Sequence, residues 1–296
     1  MIHRRSSLLL KLAATVLLSV ALITVLSGCD MLLATTAASS DPGDYQLKVV
    51  MLDVGQGDSI LIGSGGEYVL VDAGENDKGE LVVRDLARMG VTGLKAVVGT
   101  HPHSDHIGGL DTVIKSLPVE AVYLPRRTAD TETYEDVLDA VEAAGLTITV
   151  PKPGDTMKLG QADIKFLWPP AKYKSDNDNN HSIVMLVSAG GRRVLLCGDA
   201  EKAVEKKLLE QESDLRCDVL KVAHHGSDTS STKAFLQSVS PGVALISVGK
   251  GNSYKHPDKA VLKRLAEIGA QIHRTDLEGD ITVTVADGVV TVSGSD

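Results

Sequence analysis

The sequence is poor in aromatic residues and in cysteines. Phe, Trp and Tyr make up 3% of its 296 residues, which leaves few rings on which the bases of a single strand can stack. Three cysteines are too few for a disulfide scaffold in so long a chain, so a hydrophobic core must stabilise the fold. These counts argue against a stacking-type single-strand binder and against a small disulfide-rich domain.

Positive charge is also in deficit. The chain has 30 Lys and Arg residues against 39 Asp and Glu residues, which gives a formal net charge of −9. This balance argues against a basic protein that coats nucleic acid by bulk attraction. With 43% hydrophobic and 23% charged residues, the chain has the composition of a globular protein.

The amino terminus has the pattern of an export signal. A segment with three basic residues leads into a nearly unbroken apolar run at residues 12–26. The run ends in Leu26-Ser27-Gly28-Cys29, which resembles the lipobox of bacterial lipoproteins, where the chain is cleaved before the cysteine and the thiol is lipidated. We therefore expect a lipoprotein signal peptide at residues 1–28 and an extracytoplasmic protein that is anchored to the cell membrane through Cys29. The alternative is an uncleaved anchor, which gives the same location.

The rest of the chain is predicted to form a tether and one domain. Residues 29–44, rich in Ala, Thr and Ser and ending in Asp-Pro-Gly-Asp, suit a flexible tether. Removal of residues 1–28 takes away three positive charges and changes the net charge to −12. No second linker and no short-period repeat follow, so residues 45–296 are expected to be a single α/β domain.

Strand patterns alternate with helix patterns through this domain. Strands are predicted at residues 45–53, 59–62, 68–72, 94–100, 164–168, 182–188, 193–197, 219–222 and 243–248, helices at 80–89, 201–210, 233–238 and 258–268, and a hairpin at 281–285 and 289–292. Two β-rich halves, each with its own helices, indicate an α/β (α+β) fold in which two sheets pack together with helices outside.

The chemistry concentrates in His101-Pro102-His103-Ser104-Asp105-His106, directly after a predicted strand. At the carboxyl end of a strand, His101 and His103 can converge on one ion, and Asp105 and His106 on another. Imidazole nitrogens together with carboxylate oxygens suit zinc, manganese or iron. The alternative is a polar surface loop that is rich in histidine.

Further potential ligands lie at the ends of later strands. His181 precedes one strand, Asp199 follows the next, and His224 and His225 follow the strand at 219–222. Ligands that are distant in sequence can therefore share one edge of the sheets. Taken alone, Asp199 is equally well explained as the cap of the helix at 201–210.

These motifs bring out a family resemblance. The sequence HPHSDHIGG resembles the signature of the metallo-β-lactamase-fold hydrolases, and Val71-Asp72-Ala73-Gly74 resembles the aspartate turn of that superfamily. Further motifs in the same order resemble the hydrolase domain of ComEC-type DNA-internalisation competence proteins: DVGQGDS from Asp53, NNHS from Asn179, CGDA from Cys197, LKVAHHGS from Leu220, and SVG from Ser247 with NSYKHP from Asn252.

The resemblance implies a four-layer αββα sandwich with two divalent metal ions, Zn²⁺ or Mn²⁺, at one edge. It implies one ion held by His101, His103 and His181, a second held by Asp105, His106 and His225, and Asp199 as the bridge between them. A nearby asparagine or a water can replace His181 in this set. His224 is assigned either to a contact with the metal-binding residues or to a contact with phosphate, and an exchange of roles between His224 and His225 stays open.

Other residues are expected to act around the metals. The resemblance implies that Asp105 orients the attacking water and that His256, with Tyr254 and Lys255, approaches the scissile phosphate. Asp72 is expected to order the metal loop without binding metal. Asp58 either orients ligand histidines or belongs to a tight glycine-rich hairpin, and both interpretations carry equal weight.

The expected function is that of an exported, membrane-tethered phosphodiesterase or nuclease. Its expected substrate is a phosphodiester, with DNA as a candidate. One alternative is hydrolysis of a phosphorylcholine ester of the envelope, or of a lactone or lactam. A third is a non-catalytic binding module in competence or envelope assembly. Local attraction for phosphate can come from the metals and from basic side chains that equally suit a solvated surface: Arg126, Arg127, Lys250, Lys255, Lys259, Lys263 and Arg264.

Overall fold

Two β-sheets pack face to face in the computed structural model, which describes residues 45–212 and 214–295. The strands are β1 (Leu47–Met51), β2 (Ile60–Ser64), β3 (Glu67–Val71), β4 (Ala96–Val98), β5 (Val122–Tyr123), β6 (Ile148–Thr149), β7 (Thr156–Leu159), β8 (Ala162–Trp168), β9 (Val184–Ala189), β10 (Arg192–Leu196), β11 (Val219–Lys221), β12 (Val243–Ile246), β13 (Gln271–Arg274), β14 (Ile281–Ala286) and β15 (Val289–Gly294). The first sheet has the order β15-β14-β1-β2-β3-β4-β5-β6, and the second β13-β12-β11-β10-β9-β8-β7.

Helices cover the outer faces of both sheets. They are α1 (Gly79–Arg88), α2 (Ser104–Ile107), α3 (Leu110–Ser116), α4 (Glu132–Ala143), α5 (Lys202–Gln211), α6 (Lys233–Val239), α7 (Lys259–Glu267) and α8 (Thr275–Glu278). Short 3-10 turns lie at Asn76–Lys78, Asp178–His181 and Ala223–Gly226. The predicted α/β sandwich with helices outside, the αββα arrangement, is confirmed.

Successive side chains of each strand point to opposite faces of its sheet, and this alternation divides the core into three layers. In β1, Leu47 and Val49 point between the sheets, whereas Val50 faces the helices of the first sheet. In β10, Val194 points between the sheets and Leu195 faces the helices of the second. Because both faces of these strands are buried, their sequences read as nearly continuous apolar runs.

Parallel pairing gathers the carboxyl ends of strands at one edge of the sandwich. β3 pairs in parallel with β4, and β10, β11 and β12 pair in parallel with one another. The turns that follow these strands therefore emerge together, which is where ligands collect in folds of this kind.

The predictions for the amino terminus lie outside the described residues. They are the signal peptide at 1–28, the tether at 29–44 and the lipidated Cys29. Within the described part of the chain, no helix is long and apolar enough to cross a membrane.

Candidate metal centre

The histidine loop leaves the first sheet at the end of β4. His103 occupies the position before α2, with extended backbone, and the short helix then carries Asp105 and His106. His101 and His106 are completely buried, whereas the His103 side chain is 46% exposed. The loop thus places two imidazoles inside the protein and one at its surface.

Asp72 fixes this loop from the neighbouring strand. Val71 lies opposite Val98 in the parallel pair, so Asp72 is next to the start of the histidine loop. Its carboxylate accepts hydrogen bonds from the Thr100 backbone N–H at 2.7 Å and the Thr100 hydroxyl at 2.7 Å, and it lies 2.8 Å from His106 Nδ1. Asp72 therefore holds the start of the histidine loop, and its own backbone has a φ of 58°.

The second sheet supplies Asp199 and His225. Asp199 follows β10, and its backbone N–H donates to the Ser182 hydroxyl at 3.0 Å. His224 and His225 follow β11 in a turn with φ angles of 53° and 52°. Non-glycine residues in this left-handed region are strained by about 1–3 kcal/mol each and persist where the surroundings determine the conformation. This backbone conformation points the two imidazoles in different directions, and of the two only His225 is fully buried.

These side chains converge on one another across the two sheets. His106 Nε2 lies 3.3 Å and His225 Nε2 lies 3.5 Å from the same Asp199 oxygen, Oδ2. His225 Nε2 is also 3.2 Å from Asp105 Oδ2. Four sets of possible metal ligands result, each with its donor atoms within 4.8 Å of one another: His101, His106 and Asp199; Asp105, His106 and His225; Asp58, Asp199 and His225; and Asp58, Asp72 and His106.

Each buried imidazole has one ring nitrogen held by the protein and the other turned to the cluster. His106 Nδ1 faces Asp72, and His225 Nδ1 lies 3.0 Å from the Ser247 carbonyl. His101 Nδ1 lies 3.1 Å from the Thr100 hydroxyl, which leaves Nε2 facing His103 Nδ1 at 3.0 Å. Such contacts fix the orientation of ligand histidines in metal sites.

Several polar atoms in this cluster are buried without a hydrogen bond. Among the described residues, His106 Nε2, His225 Nε2 and Asp199 Oδ1 make none. Buried polar atoms are rarely left in this state, and imidazole nitrogens with carboxylate oxygens are the donors that zinc, manganese and iron prefer. The cluster is therefore a divalent metal site by the chemistry of its residues.

The charges of the cluster are strongly coupled. Burial alone would lower the pKa of His106 and His225, but the surrounding carboxylates, Asp199 foremost, together outweigh burial and raise the pKa of both imidazoles well above its usual value. Burial alone would raise the pKa of Asp199, and the two imidazoles lower it well below the usual range. Metal ions bind neutral imidazole, so they compete with protons at His106 and His225.

Behind the cluster lies a buried ion pair between Lys221 and Asp58. Lys221, the last residue of β11, is completely buried, and its ammonium contacts Asp58 Oδ2. Asp58 Oδ1 lies 3.4 Å from His225 Nδ1. Burial would raise the pKa of Asp58, yet the ammonium of Lys221 lowers it to about 2. Of the two interpretations of Asp58, the geometry favours the one in which it orients a ligand histidine.

Sequence reasoning misses Lys221. The available signal is a lysine within the apolar run that precedes His224. Because an unpaired lysine is almost never fully buried, such a lysine indicates a buried partner of opposite charge. Its partner could not be recognised without the fold.

A small cavity opens above the cluster. Its volume is 170 Å³, and it is lined by Gln56, His103, Asp105, Asp199, His224, His225, Tyr254 and His256. His256 lies beside His224, with ring centroids 5.9 Å apart, and Tyr254 stacks on His256 at 5.8 Å. Burial lowers the pKa of both His224 and His256, so both are neutral at pH 7. Lys255 is exposed and lies outside this lining.

The structure does not bring His181 to the cluster. The sequence predicts it as a ligand, but its Nε2 lies 3.1 Å from the Ser175 carbonyl and its ring packs edge-on against Tyr173. The 3-10 turn at Asp178–His181 places Asn179 nearer, with Nδ2 at 3.3 Å from His224 Nε2. Asn179 Oδ1 is buried and makes no hydrogen bond to the described residues. This geometry favours the alternative in which an asparagine replaces His181.

Comparison with known proteins agrees with this geometry. The metallo-beta-lactamase superfamily matches residues 52–250. The chain is 33% identical over 264 residues to ComE operon protein 3 of Bacillus subtilis (strain 168), covering 83% of this chain and 34% of that protein. It is 33% identical over 249 residues to competence protein ComA of Neisseria gonorrhoeae, covering 83% of this chain and 33% of that protein. The chain thus spans about a third of the length of these curated relatives.

Solved structures share the fold at low identity. YhfI of Bacillus subtilis, a metallo-beta-lactamase fold protein, has a TM-score of 0.52 and 16% identity, covering 83% of this chain and 100% of that chain. CmlA of Streptomyces venezuelae, a diiron β-hydroxylase, has a TM-score of 0.54 and 13% identity, covering 83% of this chain and 55% of that chain. The predicted kinship with competence proteins is confirmed, and the chain belongs to the metallo-beta-lactamase superfamily, whose members are generally metal-dependent hydrolases.

Proposed function

We propose that this protein is a phosphodiesterase that uses two divalent metal ions. The observation that carries the proposal is the buried set of imidazole and carboxylate atoms without hydrogen bonds, which lies directly below a cavity lined by the neutral imidazoles of His224 and His256. The carboxylates of the buried cluster suit cations, and imidazole N–H groups in the cavity suit the oxygens of a phosphate. A relative in Haemophilus influenzae that is named Recombination protein 2 supports a nucleic-acid phosphodiester as the substrate class.

The ligand atoms fall into two groups that share Asp199. His101 Nε2 and His103 Nδ1 would hold one ion. Asp105 Oδ2, His106 Nε2 and His225 Nε2 would hold the other, and Asp199 would bridge the two. Zn²⁺ and Mn²⁺ both accept such ligands. The two irons of CmlA are a property of that protein and do not identify the metal bound by this one.

The bound ions would supply a nucleophilic water at neutral pH and would hold the phosphate oxygens. The chain's own groups act around them. Asp105 lines the cavity, and its pKa is lowered because burial is outweighed by His106, so it stays ionised and can orient the attacking water. His224 is held at Nδ1 by the Thr229 hydroxyl at 3.0 Å and lies 3.3 Å at Nε2 from Asn179 Nδ2, which fixes its ring in the cavity wall beside His256.

His256 is the residue best placed to serve the leaving group. The side chain of Asn252 fixes its backbone on both sides, donating to the His256 carbonyl at 2.7 Å and accepting from its N–H at 3.0 Å. A neutral imidazole at the cavity mouth can donate its N–H as a hydrogen bond to the departing oxygen and so stabilise the negative charge that develops there. Tyr254, 67% exposed, stacks on this ring and extends the surface outward.

The proposed location rests on the amino-terminal sequence. We propose that the enzyme is exported and anchored to the cell membrane by a lipid on Cys29, because Leu26-Ser27-Gly28-Cys29 ends an apolar run of the length of an export signal. The partner at this location is the membrane itself.

Metal dependence and substrate class are tested together. The full chain is stripped with chelator, reloaded with Mn²⁺ or Zn²⁺, and assayed against a bis-aryl phosphodiester, linear DNA, a phosphorylcholine ester and a β-lactam. We expect two ions per chain by elemental analysis and metal-dependent cleavage of the phosphodiester, with no cleavage of the lactam. Less than one ion per chain at saturation, together with no turnover of any substrate, would refute the proposal.

Replacement of His256 tests its role separately from metal binding. His256→Ala should lower kcat on the bis-aryl phosphodiester by about a hundredfold or more, because the charge that develops on the leaving oxygen is no longer stabilised by an imidazole N–H. Its metal content should not change, since His256 is outside the ligand sets. Lys255→Ala is the matched comparison and should change kcat less than about threefold, because Lys255 lies outside the cavity lining. Unchanged turnover in His256→Ala would show that His256 does not act on the leaving group.

A further inference from the structure

A second and larger cavity lies beside the metal centre and carries a concentration of positive charge. Its volume is 410 Å³, against 170 Å³ for the cavity above the cluster. Arg126, Arg127 and Lys174 line it, together with His181 and one carboxylate, Asp176. Three cations around one cavity are notable in a chain with a net charge of −9.

Two of these cations are free to bind an anion. Arg127 is paired with Asp178, whereas Arg126 and Lys174 form no ion pair with any residue in the described ranges. Both are exposed at the cavity wall. Pro169, Pro170 and Tyr173 also line the cavity and add apolar surface. A cavity that combines free cations with apolar surface suits a ligand that has both a phosphate and an uncharged part.

The turn at Asp178–His181 is the wall between the two cavities. Asp178 lies 3.8 Å from His103 Nε2 on the metal side, and it pairs with Arg127 on the basic side. Asn179 reaches His224 on the metal side, whereas His181 lines the basic cavity. A substrate that runs over this turn from the metal ions would enter the basic cavity next.

We propose that the cavity lined by Arg126 and Lys174 binds a phosphate of a nucleic acid strand that flanks the scissile phosphate. This inference rests on the proposed phosphodiesterase function and names its substrate as a polymer. A small diester is complete once its single phosphate is at the metals, so it has no use for a second cationic cavity of this size. The exposed ring of Tyr254 on the rim of the metal cavity offers a base a surface on which to stack, and this favours nucleic acid over an envelope polymer without bases.

The test compares substrates with and without a flanking phosphate. The full chain and Arg126→Ala/Lys174→Ala are assayed on a single-stranded oligodeoxynucleotide and on a dinucleoside monophosphate, whose only phosphate is the scissile one. We expect kcat/KM on the oligodeoxynucleotide to fall by about tenfold or more in the double variant, with the dinucleoside monophosphate unaffected. The salt dependence of oligodeoxynucleotide binding should also weaken, by a slope of about 0.7 for each phosphate that the protein no longer neutralises.

Lys172→Ala is the matched control, because Lys172 is exposed in the same segment and lines neither cavity. It should behave as the unmodified protein on both substrates. An equal fall on both substrates in the double variant would overturn the proposal, as would an unchanged value on the oligodeoxynucleotide. A fall confined to a poly(glycerol phosphate) substrate, tested in parallel, would overturn the choice of nucleic acid.

Failure of this inference and failure of the proposed function give different results. If the protein cleaves no diester with either metal, the proposed function fails, and binding of a fluorescent oligodeoxynucleotide still tests the cavity. The double variant should then weaken binding, whereas Lys172→Ala should not. If diesters are cleaved and the double variant matches the unmodified protein throughout, the cavity has no role and the phosphodiesterase stands.

Discussion

Asp199→Asn should abolish turnover and remove most of the bound metal. Asp199 belongs to two of the three-residue sets that can hold an ion and is 2% exposed, so no other described carboxylate can take its place without a change in the fold. Asparagine keeps the shape of the side chain but loses the negative charge and binds divalent ions weakly through its neutral oxygen. We expect kcat/KM on a bis-aryl phosphodiester to fall by about a thousandfold, which corresponds to about 4 kcal/mol of transition-state stabilisation.

The same variant should change the protonation of the cluster. Asp199 is the main reason that the pKa of His106 and of His225 is raised above its usual value, so its replacement leaves burial as the dominant effect and lowers both pKa values. Histidine resonances in NMR spectra of the metal-free protein report this directly. Circular dichroism checks that the fold is kept, and elemental analysis measures the metal.

His181→Asn is the control for the metal measurement. The ring of His181 faces Ser175 and Tyr173, so its replacement should leave the metal content unchanged. Loss of an ion in His181→Asn, with full metal content in Asp199→Asn, would reverse the assignment of ligands. Comparison of the two variants therefore separates the ligand set implied by the family resemblance from the set that the geometry brings together.

The sandwich could be predicted from local patterns, but not all of its elements could. Strands buried on both faces, such as β1 and β10, read as apolar runs, and glycines or caps bound the longer helices. The helix α4 was missed, although Thr131 caps it and Tyr134, Val137 and Val141 repeat at helical spacing. Short strands such as β5 carry only two residues, too few for a period to be recognised, and exist because β4 offers a parallel edge.

The ends of parallel strands explain why much of the site could also be predicted. The first residues after a buried strand must emerge at the sheet edge, so Asp72, Asp199 and His225 meet whatever the details of packing. The direction of a side chain within a turn could not be predicted in this way, because it depends on a few dihedral angles. The 3-10 turn before β9 directs His181 away from the cluster, and the left-handed backbone of His224 and His225 separates two residues that are adjacent in sequence.

Lys221→Met should produce the largest loss of stability of any single replacement near the site. Lys221 and Asp58 are both at most 1% exposed, and methionine fills the space of the lysine stem without its charge. Asp58 is then a buried carboxylate without its ammonium partner. Removal of one member of a buried pair typically costs about 3–5 kcal/mol, because the remaining charge is desolvated and uncompensated. Urea denaturation in the presence of chelator measures the free energy of unfolding without a contribution from bound metal.

The pH dependence of this loss has a definite sign. In the unmodified protein the pKa of Asp58 is lowered to about 2, so the pair contributes stability above the usual carboxyl pKa of about 4 and loses it as the pH falls toward 2. In Lys221→Met the largest effect that opposes burial is lost, so the pKa of Asp58 should rise and its protonation should remove the buried charge at a higher pH. The difference in unfolding free energy between the two proteins should therefore be largest at neutral pH and should shrink in acid.

The double variant Lys221→Met/Asp58→Asn distinguishes loss of the ion pair from loss of packing. It removes both charges and should recover most of the stability lost in Lys221→Met, since an uncharged pair of similar volume has little desolvation to overcome. It should still bind metal less tightly than the unmodified protein, because Asp58 Oδ1 no longer faces His225 Nδ1 as a charged acceptor. Additive losses in the double variant would show that the two side chains contribute to stability independently and not as an ion pair. Recovery of stability together with weakened metal binding would show that the charges of the pair act on His225 and are not required by the fold.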